Sequence, residues 1–326
     1  MAAETKMEFA NQNYSILQNH SVTRQDYDSE MTTQQLAEIC VSSGLAILIV
    51  VFNLGTIATV LCRDILRRSP KYILVAVLAF LDLVVGAVVL PIRILTLFKY
   101  DLRISCASLY LIDFINVYFQ RTSFIYMLTF LNIVVIVVAM RSSCMVGKKG
   151  KVTAALMAVL PLAFSVLVLA PVYGTGVREI RDIPLRQQKC FYILNTKHSL
   201  ALYFLSGLIP VFVLFLTTLC NVCSSIMSSN TVVNEKNEPE VDPRAHIHLD
   251  ALLVSLFTIL LVLPLSVFGV LLYYDSSICD IQTCDIIWLC FQYLPFLKSC
   301  VVPLLWICNR DYRIGVTRLI TCRCFC

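Results

Sequence analysis

Long apolar runs separated by short polar stretches dominate this chain. Seven of them are long enough to cross a bilayer as helices, which takes about 20 residues each: 39–62, 72–97, 106–140, 152–175, 199–226, 251–274 and 286–308. Four stretches carry no charge at all: Ile39–Cys62, Val152–Val177, Ser199–Met227 and Ala251–Tyr274. The third run exceeds what a bilayer needs, which predicts a strongly tilted helix. The pattern predicts an all-α membrane protein, a bundle of seven transmembrane helices over 39–308. A polar tail, 1–38, precedes it, and a cysteine-rich end, 309–326, follows.

Composition agrees with the pattern. Of 326 residues, 58% are hydrophobic and 14% charged, whereas soluble domains are nearer a quarter charged. No repeat suggests a solenoid or a duplicated transporter. No HExxH, GxSxG or P-loop pattern occurs, so neither an enzyme nor a cofactor is expected. His198, and His246 with His248, make only a weak metal pattern. Lipid is the expected surroundings, and no nucleic-acid partner is expected.

Topology follows from two signals. Both glycosylation sequons, Asn13-Tyr-Ser and Asn19-His-Ser, lie in the N-terminal tail, and "MAAETKMEF" has no signal-peptide core. The N-terminus is therefore expected outside and the C-terminus in the cytoplasm. The loops on the cytoplasmic side then hold Arg63, Arg67, Arg68 and Lys71, followed by Arg141, Lys148, Lys149 and Lys151. That is the positive-inside pattern. The third such loop, "NEKNEPEVDPR", is acidic, which counts little in the rule.

Cysteines sort by compartment. Cys106 and Cys190 both fall on the outer side and can bridge there, and Cys279 and Cys284 can close a small ring around "DIQT". Cys322, Cys324 and Cys326 lie beside the membrane among arginines, a setting that favours S-acylation over free thiols.

Several stretches together resemble the rhodopsin-like G-protein-coupled receptors. They are "FNLGTIATV" with Asn53, "LAFLDLVVG" with Asp82, the Cys106 and Cys190 positions, Pro210, Pro264 and "VVPLLW". "CNRDYRIGVTRLI" is similar to the family's short amphipathic eighth helix. "SPKYILVAVLAFLDL" and "KSCVVPLLWICNRDYR" further resemble fish-type odorant receptors and related orphan receptors. The resemblance implies a plasma-membrane receptor with a small-molecule pocket in the outer half of the bundle. It also implies a cytoplasmic partner, a heterotrimeric G protein or other transducer. The alternative is a non-signalling seven-helix protein, a scavenger or trafficking partner.

The departures concern the family's switch parts. Phe130, Leu131 and Asn132 stand where the helix-3 Asp-Arg-Tyr would be, Val262 where the helix-6 tryptophan would be, and Val302 and Trp306 in the helix-7 motif. The expected transducer face is Leu131, Asn132, Arg141, Lys148 and Lys149. It lacks an ionic lock, and Leu131→Arg would be expected to raise signalling.

Ionisable residues inside spans are functional suspects. Here they are Asp82, Arg93, Asp113, Arg121 and Lys298. At 1.5 Å per residue, Asp82 lies about 15 Å from Tyr72 and Lys298 about 18 Å from Ile286, both near the midplane. Arg93 is about 31 Å along its span and can snorkel to the outer surface. Lys298 has three readings: a retinal-type Schiff base, a transporter's ion or proton group, or a partner for Asp82. The first is disfavoured, because opsin lysines stand seven residues before the helix-7 proline and here the gap is five. In the family Asp82's counterpart helps to bind sodium, so an ammonium at Lys298 would replace the ion. Arg121 is the rival partner. The resemblance implies ligand contacts at Asp113, where amine receptors carry a carboxylate, and Arg93 or Arg121 can also satisfy that group. Asn116 and Gln120 share its helix face, and Gln292 and Phe296 complete the expected pocket. Phe268 and Tyr273 are expected as wall.

Overall fold

The computed structural model describes residues 33–97, 106–140, 148–182, 190–233, 245–274 and 278–321. Its seven long helices follow the apolar runs. α1 is Thr33–Cys62. α2 joins Pro70–Val84, a π turn Val85–Val89 and Leu90–Leu97. α3 joins Cys106–Asp113, a π turn Phe114–Phe119 and Gln120–Met140. α4 is Lys148–Gly176. Two antiparallel strands, β1 (Val177–Asp182) and β2 (Cys190–Leu194), lie between α4 and α5. α5 joins Thr196–Tyr203, a π turn Phe204–Leu208 and Ile209–Val233. α6 is Ala245–Tyr274, and α7 is Ile281–Leu305 with a 3₁₀ turn Trp306–Cys308. α8 is Arg310–Ile320. Seven helices are long and apolar enough to cross a membrane.

The strands are the only β structure among the described residues, an addition to the all-α expectation. The expected helix starts also move: α1 begins six residues before position 39, and α7 five before position 286. Polar residues there do not interrupt helix, because Asp280 caps α7 by accepting from the Thr283 amide at 3.2 Å. Such a carboxylate offsets an unpaired amide of the first turn.

Burial shows which helix is central. In α3, 72% of the most apolar window is enclosed by protein, against 22% in α4 and 28% in α1. Phe124, Ile125, Met127, Leu128, Leu131 and Val134 of α3 are fully buried in the main core. Leu167, Leu260 and Ile47 instead point outward. An outward apolar belt suits lipid, where no hydrophobic force opposes exposure.

α8 folds back onto α1. Gly315 permits this, since a Cβ there would meet Thr59 Cγ2 at 2.8 Å. Asn309 caps α8, accepting from the Asp311 and Tyr312 amides at 2.9 and 3.3 Å, and also accepts from Tyr72 Oη at 2.7 Å. Tyr312 Oη donates to Thr56 Oγ1 at 2.9 Å. Burial raises the Tyr312 phenol pKa.

Candidate functional site

A cavity of about 290 Å³ lies between α2, α3, α5, α6 and α7. Four of the five residues expected to meet a ligand line it: Asn116, Gln120, Gln292 and Phe296. The fifth, Asp113, ends the first helical segment of α3, immediately before the π turn; its side chain is outside the described part. Apolar walls come from Val85, Val89, Val117, Leu265 and Trp288. Phe268 stands behind Trp288, with ring centroids 6.3 Å apart, and does not line the cavity.

Arg93 turns inward rather than snorkelling. Its Nη2 donates to Gln292 Oε1 at 3.3 Å and its guanidinium sits 5.1 Å from the Tyr293 ring. A planar cation gains from both an amide oxygen and an aromatic face, which outweighs the reach to the surface expected from depth alone.

Beneath the cavity lies a charge centre. Lys298 Nζ is 2.9 Å from Asp82 Oδ1, and both side chains are almost fully buried. The same oxygen accepts from Ser299 Oγ at 2.7 Å and Gln120 Nε2 at 3.0 Å. The ammonium also stands 3.1 Å from the Phe124 ring centroid. Asn53 ties α1 in, donating to the Ser299 carbonyl at 3.0 Å. Three donors on one carboxylate oxygen, with an aromatic face on the cation, offset part of the desolvation that a buried pair costs, while Asp82 Oδ2 is buried without a hydrogen-bond partner.

Arg121 takes no part in that centre. Adjacent residues on a helix stand about 100° apart, so Gln120 faces α2 while Arg121 faces α5. There its Nη2 donates to Ser206 Oγ at 2.7 Å. Thr122 Oγ1 reinforces the junction, donating to the Ser206 carbonyl at 3.0 Å.

Near the α8 end, sequence reasoning missed a second ion pair. Lys71, expected as a loop charge, is the second residue of α2 and is buried. Its Nζ lies 2.7 and 2.9 Å from the two oxygens of Asp250 on α6. The one available signal was an acid, Asp250, standing immediately before the uncharged stretch from Ala251 to Tyr274.

The expected transducer face needs correction here. Leu131 and Asn132 are wholly buried, so neither offers a surface in this packing. Asn132 Nδ2 donates to Ser255 Oγ at 2.8 Å, and its Oδ1 accepts from Asn221 Nδ2 at 3.1 Å, joining α3, α5 and α6. Leu131→Arg would place a cation among Leu128, Val134 and other core side chains. Loss of folded protein is therefore the expected result, rather than a gain of signalling. Lys148 and Lys149 open α4, with their side chains outside the described part, and Arg141 lies outside the described residues altogether.

Cys279 and Cys284 form a disulfide bounding the start of α7. Cys106 opens α3 and Cys190 opens β2; their side chains are not described. Asn13, Asn19, Cys322, Cys324 and Cys326 lie outside the described residues. No cluster of three or more metal-ligating side chains occurs among the described residues.

Residues 52–306 match the family model described as 7 transmembrane receptor (rhodopsin family). A search of curated proteins finds no match to the chain.

Proposed function

Because the chain belongs to the rhodopsin family of seven-transmembrane receptors, we propose that it is a cell-surface receptor for a small ligand held in the cavity between α2, α3, α5, α6 and α7. In this reading the strand end of the bundle faces outward, the glycosylated tail 1–38 is extracellular, and α8 with the acylated end 309–326 lies at the cytoplasmic leaflet. The observation that carries it is the convergence of Asn116, Gln120, Gln292 and Phe296 on one cavity. Apolar walls with a few converging polar groups are the usual make-up of a small-molecule site. An odorant-like ligand suits that composition, and the narrower resemblance to odorant receptors points the same way.

Signalling in this reading requires two packings with different ligand affinity. The family's helix-3 arginine is replaced by Leu131, so restraint of α6 falls to Lys71–Asp250 and to Asn132–Ser255. Moving α6 outward breaks both contacts and opens a space toward Asn132 that a transducer could enter.

A second reading is specifically favoured by the buried Asn132: a seven-helix protein that binds its ligand and does not signal. The deciding experiment is surface expression, followed by a screen of small odorants, amines and acids with both binding and several second-messenger readouts. A messenger response abolished by Val117→Trp, which fills the cavity, supports the receptor reading. Binding without any response supports the second reading. Response and binding that both ignore the filled cavity would remove the cavity from either.

A further inference from the structure

Among the described residues, Arg121 is a buried charge with no acidic partner. It is 4% exposed, its Nη2 meets a neutral hydroxyl, Ser206 Oγ, and its Nε and Nη1 have no hydrogen-bond partner. A guanidinium keeps its proton in a protein, so burial cannot be relieved by neutralisation as it can for lysine. Asp82, the nearest candidate counter-charge on sequence grounds, is already engaged by Lys298, Ser299 and Gln120. Arg121 nevertheless lines the cavity, together with Arg93. No carboxylate is among the described lining residues, so the described wall carries two cations and no anion.

The surroundings hold Arg121 in place without neutralising it. α5 and α6 approach closely at Gly207, where an added Cβ would collide with Ser266 Oγ and come within 3.7 Å of Arg121 Nη2. The Ser206 hydroxyl hydrogen-bonds to the guanidinium, but it does not cancel charge.

We infer that the ligand is a small organic anion, a carboxylic acid with an apolar body, whose carboxylate lies against Arg121 while Val85, Val89, Leu265 and Trp288 enclose the rest. This rests on the receptor reading above and specifies its ligand class. A carboxylate is favoured over an inorganic anion because those walls offer apolar area that a bare ion cannot use. A charge-assisted contact in a site of low dielectric is worth more than a neutral one. An amine is disfavoured, since it would add a third cation.

The test uses the full chain in lipid nanodiscs and measures affinity by competition and thermal shift. Hexanoate and phenylacetate are compared with hexanamide, phenylacetamide and hexylamine, in chloride and in chloride-free buffer. The carboxylates are expected to bind at least about tenfold more tightly than their amides. Arg121→Met should bring that ratio to about one, Arg121→Lys should keep most of it, and Val117→Trp should weaken every compound. Equal affinity for acids and amides in the wild-type protein overturns the inference, and that result does not depend on any variant folding. So does an acid-to-amide ratio that Arg121→Met leaves intact, or chloride alone reproducing the full thermal shift. If amides or hexylamine bind best and Val117→Trp abolishes it, the ligand class is wrong and the cavity reading stands. If no probe responds to Val117→Trp, both fall.

Discussion

The two buried ion pairs among the described residues share α2 and little else. Asp82–Lys298 lies mid-bundle, its carboxylate oxygen taking three donors and its ammonium resting on Phe124. Lys71–Asp250 lies near the ends of α2 and α6, where the ammonium spans both oxygens of one carboxylate. The first is woven into α1, α2, α3 and α7 and suits a fixed centre. The second spans α2 and α6 and suits a latch, because a lysine this near a helix end can reach water once released. The difference lies in what each charge meets when the pair breaks.

That contrast predicts a large effect at the centre. Lys298→Ala leaves Asp82 charged and buried, and should destabilise the protein by about 3–5 kcal/mol, as for other broken buried pairs. Adding Asp82→Asn should recover much of it, read as thermal unfolding in detergent or nanodiscs. Strict additivity of the two changes would show that the groups are not coupled. Leu131→Arg belongs to the same class, and surface expression should fall sharply.

At the latch the expected cost is smaller and the functional effect opposite. Asp250→Asn keeps the shape and loses the charge, costing about 1.5–3 kcal/mol. Basal transducer signalling should rise if α6 is held there, and a fall in basal output at normal surface expression would break the comparison. Swapping the pair, Lys71→Asp with Asp250→Lys, should restore part of the stability and the low basal level.

Sodium sharpens the comparison further. With Lys298 Nζ in contact with the carboxylate, ligand affinity should be unchanged when sodium replaces potassium or choline at constant ionic strength. A sodium-specific shift would show an ion at Asp82. The smallest change is at α8: Tyr312→Phe removes the Thr56 hydrogen bond and should cost about 1 kcal/mol, with ligand affinity unaltered.

Much of this was legible in the chain. Seven apolar runs fix seven helices, because lipid leaves a backbone no partners but its own. Asp82 and Lys298 were visible as suspects because each interrupts an apolar run near the midplane, where a charge is costly. Asn116, Gln120, Gln292 and Phe296 followed from helix spacing within a known scaffold. The inward turn of Arg93 was not legible, since depth sets how far a side chain must reach and says nothing of a nearer amide and ring. Lys71 was missed for a similar reason. A lysine at a helix end looks the same in sequence whether it meets water or Asp250, 179 positions away.

The sequence alone thus determined the membrane class, the number of spans, the family scaffold and which charges stand at mid-depth, since these depend on local composition and period. Which charges meet was decided by tertiary structure. Gln120 and Arg121 are neighbours in the chain, yet the turn of α3 sends one to the carboxylate that Lys298 pairs with on α2 and the other to a hydroxyl on α5. Only the packing of seven helices around that turn shows that the Lys298 ammonium meets a carboxylate while the Arg121 guanidinium meets a hydroxyl.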